Sequence, residues 1–290
     1  MFLTFLSDLG HEDAFLGLCR GVIARLAPEV RVLDVLHLVA VQDVEQGAGV
    51  LASAIPYLPA PAVHLALVDP FRSSPARGIA VRTADGSTFV APDNGLTSQA
   101  WAAAGGAVAA YELDDPALWL PDAARTFRAR DVFAPVAARL AAGLAVERVG
   151  SAVEVAGLQR LEMRLPSVDD DHVHGEVVQV DHFGNLTLNV HRTDLEAAGI
   201  QLGDQVQLRC GGRALTVPFC LTYGEVPKGR VAVCEDAFRT ITIAVNQGSA
   251  AVALRARRAD PLVLARVVAT APKAAGPVGM FVEPPSTVTA

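Results

Sequence analysis

The sequence predicts a chain in two parts. The first is an α/β amino-terminal domain with a mainly parallel sheet flanked by helices. The second is a smaller all-β, barrel-like carboxyl-terminal domain. Three observations predict this. Short apolar runs alternate with helix-period segments through the first half, the signature of strands linked by crossover helices. Beyond Pro166 the pattern changes to short β runs separated by turn residues at spacings of roughly ten. The length of 290 residues amounts to about two domains at ~150 residues each.

The elements follow in order. Phe2 to Leu6 is an apolar run that ends at Ser7-Asp8-Leu9-Gly10. Phe15, Leu18, Cys19, Val22, Ile23 and Leu26 then recur at helical spacing until Pro28 stops them. Val30 to Leu36 is strand-like, and Val44 to Ile55 reads as a helix closed by Pro56 and Pro59. Val63 to Val68 is nearly all apolar, as expected of a strand covered on both faces. Ile79 to Val81 and Thr88 to Val90 are two more strands, and Leu96 to Ala104 and Val132 to Leu144 are helices. Ser167 to His174 is short, acidic and turn-like. The β runs after it are Glu176 to Asp181, Leu186 to Val190, Gln205 to Arg209, Ala214 to Phe219, Arg230 to Cys234 and Ile241 to Val245. These patterns place one domain over residues 1–166 and a second over 175–268. A tail over 269–290, rich in Ala, Pro and Gly, is expected to be loosely ordered.

Composition narrows the function classes. With 51% hydrophobic and 19% charged residues, wholesale disorder is excluded. A chain this long buries roughly three-quarters of its surface. The net charge of −7 argues against a basic nucleic-acid face. Cys19, Cys210, Cys220 and Cys234 form no CxxC pair, which fits a reducing compartment without structural zinc. No run of 18 apolar residues suggests a membrane span. Met1 to Leu9 lacks a basic leader and soon meets Asp8, Glu12 and Asp13, so it reads as a first strand and not a signal peptide. The expected location is cytoplasmic.

Open parallel sheets bind ligands at the carboxyl ends of their strands. Asp8, Asp69 and Asp93-Asn94-Gly95 each follow a strand. Singly, each also reads as a helix cap or turn former. Asp69-Pro70 fits that reading least, because no helix start follows it. In the second half, Asp181-His182-Phe183-Gly184-Asn185 interrupts a β pattern. It reads first as a hairpin turn, and alternatively as a polar-ligand loop offering diol contacts and stacking. His172 and His174 invite a metal, against a solvated linker as the alternative. There is no Walker loop, no GxGxxG and no GxSxG elbow.

Taken together, a set of stretches resembles the S-adenosylmethionine hydroxide adenosyltransferase family, which also contains the fluorinase and chlorinase. They are Phe5 to Gly10 with Asp13, Gly21-Val22-Ile23, Leu33 to His37, Gln42 to Ala48, Val68-Asp69-Pro70, Ala91 to Leu96, Arg130 to Ala137, Asp181 to Asn185, and Ile243 to Asn246. They run in family order from residue 5 to about 255.

The resemblance implies a two-layered α/β domain, a β-barrel-like domain, and a trimer whose ligand sits between one subunit's first domain and its neighbour's second. It implies that Asp8 takes the ribose hydroxyls, with Asp13, Asn94 and Phe127 in the substrate-binding set. Asp181, Phe183 and Asn185 would contact the methionine and nucleoside parts, Asn246 the adenine edge, and Tyr223 would pack nearby. The implied chemistry is in-line attack of water or hydroxide on the ribose C5′ of S-adenosylmethionine, giving adenosine and methionine. No metal or redox cofactor is expected. Asp69 would hold the water, with Arg77 or Arg72 fixing the carboxylate.

This chain departs from the family at three places. The glycine-rich loop after Asp-Pro reads Phe71 to Arg77, with the catalytic basic position on Ala76 and the second basic position on Arg77. The family histidine falls on Arg128, within Thr126-Phe127-Arg128-Ala129-Arg130-Asp131. An Asn-Ser-x-Gly pattern near the adenine reads Asp236-Ala237-Phe238-Arg239. Two alternatives follow: a non-catalytic binder of S-adenosylmethionine or adenosine, and adenosyl transfer to another anion such as halide. Asp69 would repel a halide. Arg72 and Arg128 would attract one, unless both are spent on surface ion pairs.

Overall fold

The computed structural model describes residues 1–68, 76–124, 126–162 and 164–267. The chain divides into two compact units, Met1–Leu165 and Pro166–Ala290. The tail over 269–290 lies outside the described residues.

The first unit carries β1 (Phe2–Ser7), α1 (Phe15–Leu26), β2 (Arg31–Leu36), α2 (Val44–Ala54), β3 (Val63–Leu67), β4 (Gly78–Thr83), β5 (Thr88–Pro92), α3 (Ser98–Ala103), β6 (Ala107–Glu112), α4 (Ala134–Ala141) and β7 (Ala152–Val153). Its seven strands form one sheet in the order β2-β1-β3-β5-β4-β6-β7. The β1–β2, β1–β3 and β3–β5 pairs are parallel. The β4–β5, β4–β6 and β6–β7 pairs are antiparallel. The expected mainly parallel sheet is therefore a mixed one. The reason is the short link Ala84-Asp85-Gly86-Ser87 between β4 and β5, which closes a hairpin and leaves no length for a crossover. The Asp85 carboxylate accepts from Thr83 Oγ1 at 2.7 Å and Ser87 N at 2.9 Å. Gly86 supplies the positive φ of 85°.

Helices cover both faces of the sheet. One core joins Leu3, Phe5, Leu65 and Leu67 to α1 and α4; the other joins Leu6, Ala66 and Val68 to α2 and α3. Every residue of β3 is accordingly buried. Gly47 lets α2 settle onto the sheet, since a Cβ there would lie 2.9 Å from Leu96 Cδ1 and 3.0 Å from Val68 Cγ2. The expected Val132–Leu144 helix begins with a π-turn over Ala129–Phe133 before α4. The expected helix from Leu96 starts at Ser98, because Asn94 to Thr97 are used by a turn.

The second unit carries β8 (Ser167–Asp169), β9 (His172–Val180), β10 (Leu186–His191), α5 (Arg192–Ala197), β11 (Gln205–Cys210), β12 (Arg213–Pro218), β13 (Val231–Glu235), β14 (Thr240–Val245), α6 (Ala250–Leu254) and β15 (Pro261–Arg266). The sheet order is β12-β11-β15-β9-β10-β14-β13, with β8 on β9. All strand pairs in it are antiparallel. Its two ends approach through a Phe219–Val233 bridge and a Cys220 N to Val233 O bond of 3.0 Å, so the sheet is nearly closed. Inward residues such as Val173, Leu188, Leu208 and Ile243 are fully buried. Two short helices make this unit barrel-like without being all-β. The acidic stretch expected to be a linker is the β8–β9 hairpin, turned at Asp170 with φ 46°.

His64 on β3 is buried, 2.8 Å from Thr4 Oγ1 through Nδ1, with its ring 4.6 Å from that of Phe89. Burial pushes its imidazole down to about 4. The folded chain therefore holds it neutral, while the unfolded chain protonates it below about 6.5. Stability should fall as the pH drops from about 6.5 towards 4, by about 1.4 kcal/mol per pH unit from this group. Urea unfolding across that window should show a shallower slope in His64→Gln. An unchanged slope would assign the acid sensitivity to other groups.

Candidate functional site

The carboxyl ends of β1, β3 and β5 meet at one edge of the first unit. β1 delivers Asp8 there. Its amide donates to Leu67 O at 3.2 Å, and its Oδ2 accepts from Gln42 N at 3.0 Å. β3 runs out at Val68, whose carbonyl accepts from Asn94 Nδ2 at 3.0 Å. Asn94 Oδ1 in turn accepts from Leu96 N at 3.1 Å. Asn94 is thus spent at both ends and acts from beneath, anchoring the peptide just before Asp69. Asp69 and Arg72 themselves lie outside the described residues.

β4 starts opposite the end of β5, with Gly78 paired to Pro92, which brings Arg77 to the same edge. Its Nε and Nη2 each lie 2.9 Å from Asp93 Oδ2. Asp93 is buried and also accepts from Gln159 N at 2.9 Å. Arg77 Nη1 stands 4.0 Å from Glu112 Oε2. Arg128 reaches the edge from the π-turn side, donating through Nη1 to Ala76 O at 2.9 Å and lying 5.3 Å above the Phe133 ring. Burial lowers its pKa, against the opposing pull of Glu112.

Phe127 meets Phe15 edge-on at 5.1 Å, and Arg130 lies 5.0 Å over its other side. The buried Asp131 holds Arg130 through two contacts at 2.5 and 2.8 Å and accepts from Ala124 N at 2.8 Å. Segment 126–133 is therefore fixed by an internal ion pair. Asp13 is exposed in the loop before α1. The first unit thus gathers Asp8, Asn94, Arg77 and Arg128 around the end of β3, with Phe127 beside the start of α1.

One network at this edge escaped the sequence reading. Ser7 Oγ is 2.7 Å from His37 Nδ1, and His37 Nε2 is 2.9 Å from Asp34 Oδ1. Arg20 pairs with Asp34. Burial, reinforced by Arg20 and His11, pushes His37 down to about 4. Asp34 and His37 fall in a family-like stretch, but nothing in their spacing shows that Ser7, 30 residues away, is their partner.

In the second unit, the start of β10 lies beside the end of β14, with Leu186 opposite Ile243. The Asp181–Asn185 turn sits at that rim. Asp181 Oδ1 accepts from Phe183 N at 2.9 Å and Asn185 N at 2.8 Å, and Oδ2 accepts from Asn185 Nδ2 at 2.7 Å. The turn reading is realised, and what the turn presents is the Phe183 ring, 74% exposed. Asn246 joins the same rim, donating from Nδ2 to Val226 O at 2.6 Å. Tyr223, half-exposed, heads the short turn Tyr223–Glu225.

Asp236 to Arg239 form the β13–β14 turn beyond Glu235–Ile241, whereas Asn246 follows the opposite end of that hairpin at Val231–Val245. Within this unit, the two stretches expected near adenine are not brought together. His172 and His174 stack at 6.3 Å and hold Asp171 and Asp169. Among the described residues no group of three or more His, Cys, Asp or Glu is placed to hold a metal.

Fold and site describe an α/β domain with a polar, arginine-bearing strand-end edge, joined to a nearly closed barrel with an aromatic rim. Residues 3–150 match the SAM hydroxide adenosyltransferase N-terminal domain, and residues 175–263 the corresponding C-terminal domain. The (R)-S-adenosyl-L-methionine hydrolase of Salinispora tropica is 44% identical over 250 residues, covering 86% of this chain and 92% of that one. The fluorinase of Nocardia brasiliensis is 30% identical, covering 72% and 78%. A crystal structure of an uncharacterised conserved protein from Thermotoga maritima superposes with a TM-score of 0.85 at 32% identity, covering 91% of this chain and all of that one. The chain belongs to the SAM hydroxide adenosyltransferase family.

Two backbone positions test the barrel's turns, Gly184 at the rim and Arg239 at the opposite end. Gly184 has φ 82°, and a Cβ there would lie 2.1 Å from Ser249 Oγ. Gly184→Ala should cost about 2–3 kcal/mol from left-handed strain plus overlap. Arg239 occupies φ 66° where the family pattern has glycine. Arg239→Gly should gain about 0.5–1 kcal/mol once the looser unfolded chain is counted. Urea midpoints check both, and a loss at Arg239→Gly would mean that the Arg239–Glu235 ion pair, 3.1 Å long, outweighs the strain.

Proposed function

We propose that this chain hydrolyses S-adenosyl-L-methionine to adenosine and L-methionine, by in-line attack of water or hydroxide on C5′. The observation that carries the reading is the match of both units to one family, with a relative named a hydrolase at 44% identity over most of both chains. That relative's name specifies the R sulfonium, and the R epimer is the substrate we assign.

The sulfonium leaves readily, so the protein's task is alignment of water, carbon and sulfur in a dry site. No metal or redox cofactor enters the scheme. Asp8 binds the ribose hydroxyls, and Asp69 accepts a hydrogen bond from the attacking water. Asn94 holds the Val68 carbonyl just before Asp69. Arg77 is engaged with Asp93, so Arg72 shares the task of fixing Asp69. Arg128 stands in the histidine's place. A guanidinium stays protonated, so it acts on the water by its field and not as a base. From the second unit, Phe183 stacks, Asp181 and Asn185 shape its turn, Asn246 borders the adenine, and Tyr223 packs beside it. The site is completed by the second unit of a neighbouring subunit in a cytoplasmic homotrimer. Asp13 and Phe127 border the substrate on the first unit.

Arg128 also favours a second reading, adenosyl transfer to an anionic nucleophile such as halide, because among the described residues its guanidinium donates to the Ala76 carbonyl and lies over the Phe133 ring, with Glu112 acting on it only by its field. Asp69 opposes that reading by repulsion.

Chromatography should show adenosine released from S-adenosylmethionine, faster from the R epimer than from the S epimer. Asp69→Asn should lower turnover by about 10²–10³ without abolishing binding, and Arg128→His should raise it. Binding with no adenosine from either protein would leave a non-catalytic binder. Light scattering should give three chain masses, and a monomer at micromolar concentration would refute the shared site.

A further inference from the structure

We infer that His37 is a positioning residue for Asp8, acting through a relay that runs from the partly exposed Arg20–Asp34 pair through the buried His37 and Ser7 into the turn that carries Asp8. The inference rests on the assignment of Asp8 to the ribose hydroxyls and adds how Asp8 is aimed.

The hydrogen bonds have one consistent direction. Leu9 N can only donate, and it points at Ser7 Oγ at 3.3 Å. The Ser7 hydroxyl is then free to give its proton to His37 Nδ1, 2.7 Å away. That makes Nδ1 the acceptor and places the ring proton on Nε2, which donates to Asp34 Oδ1 at 2.9 Å. Arg20 pairs with the same carboxylate. The His37 carbonyl meanwhile accepts from Gly10 N at 2.8 Å, where φ is 70°. One residue thus clamps the Asp8 turn from both sides, by its ring through Ser7 and Leu9 and by its backbone through Gly10. Ser7 is wholly buried and His37 nearly so, which keeps water from competing for these bonds. Their burial costs free energy unless every partner is present, and every ring nitrogen and the hydroxyl has one. A turn that merely closed the chain would need only the backbone bonds. The relay adds a fixed tautomer and a fixed hydroxyl in the turn on either side of Asp8.

The test uses calorimetry with two ligands, adenosine and 2′,3′-dideoxyadenosine, on the full chain. Ser7→Ala removes the hydroxyl that joins Leu9 N to His37, and Asp34→Asn replaces the charged acceptor of His37 Nε2 with a neutral amide at a partly exposed position that spares the core. Each should weaken adenosine binding about tenfold, the loss of one well-aimed hydrogen bond, and leave the dideoxy compound unchanged. Asp8→Ala provides the reference, with a larger loss confined to adenosine. If Asp8→Ala affects both ligands alike or neither, the ribose assignment fails and the relay with it. If Asp8→Ala discriminates the ligands while Ser7→Ala and Asp34→Asn do not, the ribose assignment stands and the positioning role is overturned. Equal losses for both ligands in the relay variants would reduce the network to a structural clamp.

Discussion

The parallel pairing of β1, β3 and β5 is the constraint on which the first unit depends. Parallel strands carry their carboxyl ends to one edge, so residues far apart in sequence arrive there together. β3 can occupy the centre only because both its faces are covered, by α1 and α4 on one side and α2 and α3 on the other. Burying its five residues fixes where the strand ends, and therefore where the peptide leading into Asp69 begins. Asn94 then makes that end rigid by binding the Val68 carbonyl from the neighbouring strand.

A second regularity is that several polar residues at these sites are consumed internally. Asp181 gives both oxygens to its own turn. Asp93 accepts from Arg77 and from Gln159, and Asp131 from Arg130 and Ala124. Buried carboxylates demand such partners. The consequence is a division of labour: these groups hold backbone and cations in place, and neighbouring side chains are left exposed. Phe183, exposed on a turn made rigid by Asp181, is the clearest instance.

Strands and helices were legible where the period was regular. β1, α1, β3, β10, β11 and β14 fall close to their apolar patterns. β6 was missed because Ala-Val-Ala-Ala alternates too weakly to register, and β15 because it opens on Pro261. The mixed sheet is encoded in the four residues between β4 and β5, which forbid a crossover, while the strand–helix alternation of the rest of the domain points to parallel pairing. The site edge was legible as three strand ends bearing Asp8, Asp69 and Asp93-Asn94. The Ser7–His37 contact was not, because it joins adjacent parallel strands and no local pattern encodes which residues they bring side by side.

Two departures from the family pattern, at Arg128 and Arg239, fall on well-held backbone. Arg128 takes its place through a carbonyl and an aromatic face, contacts that do not require an imidazole's proton exchange. What is exchanged is a group able to accept and donate a proton for one that holds a permanent charge. In the proposed hydrolysis such a charge would stabilise hydroxide as it forms without removing its proton, which would then pass to Asp69 or to solvent. Arg239 shows the same tolerance on the barrel: the turn keeps glycine's backbone conformation with φ 66°, supported by three hydrogen bonds to the Asp236 carboxylate. The backbone at Arg239 is held by its neighbours, so its conformation does not depend on the side chain it carries.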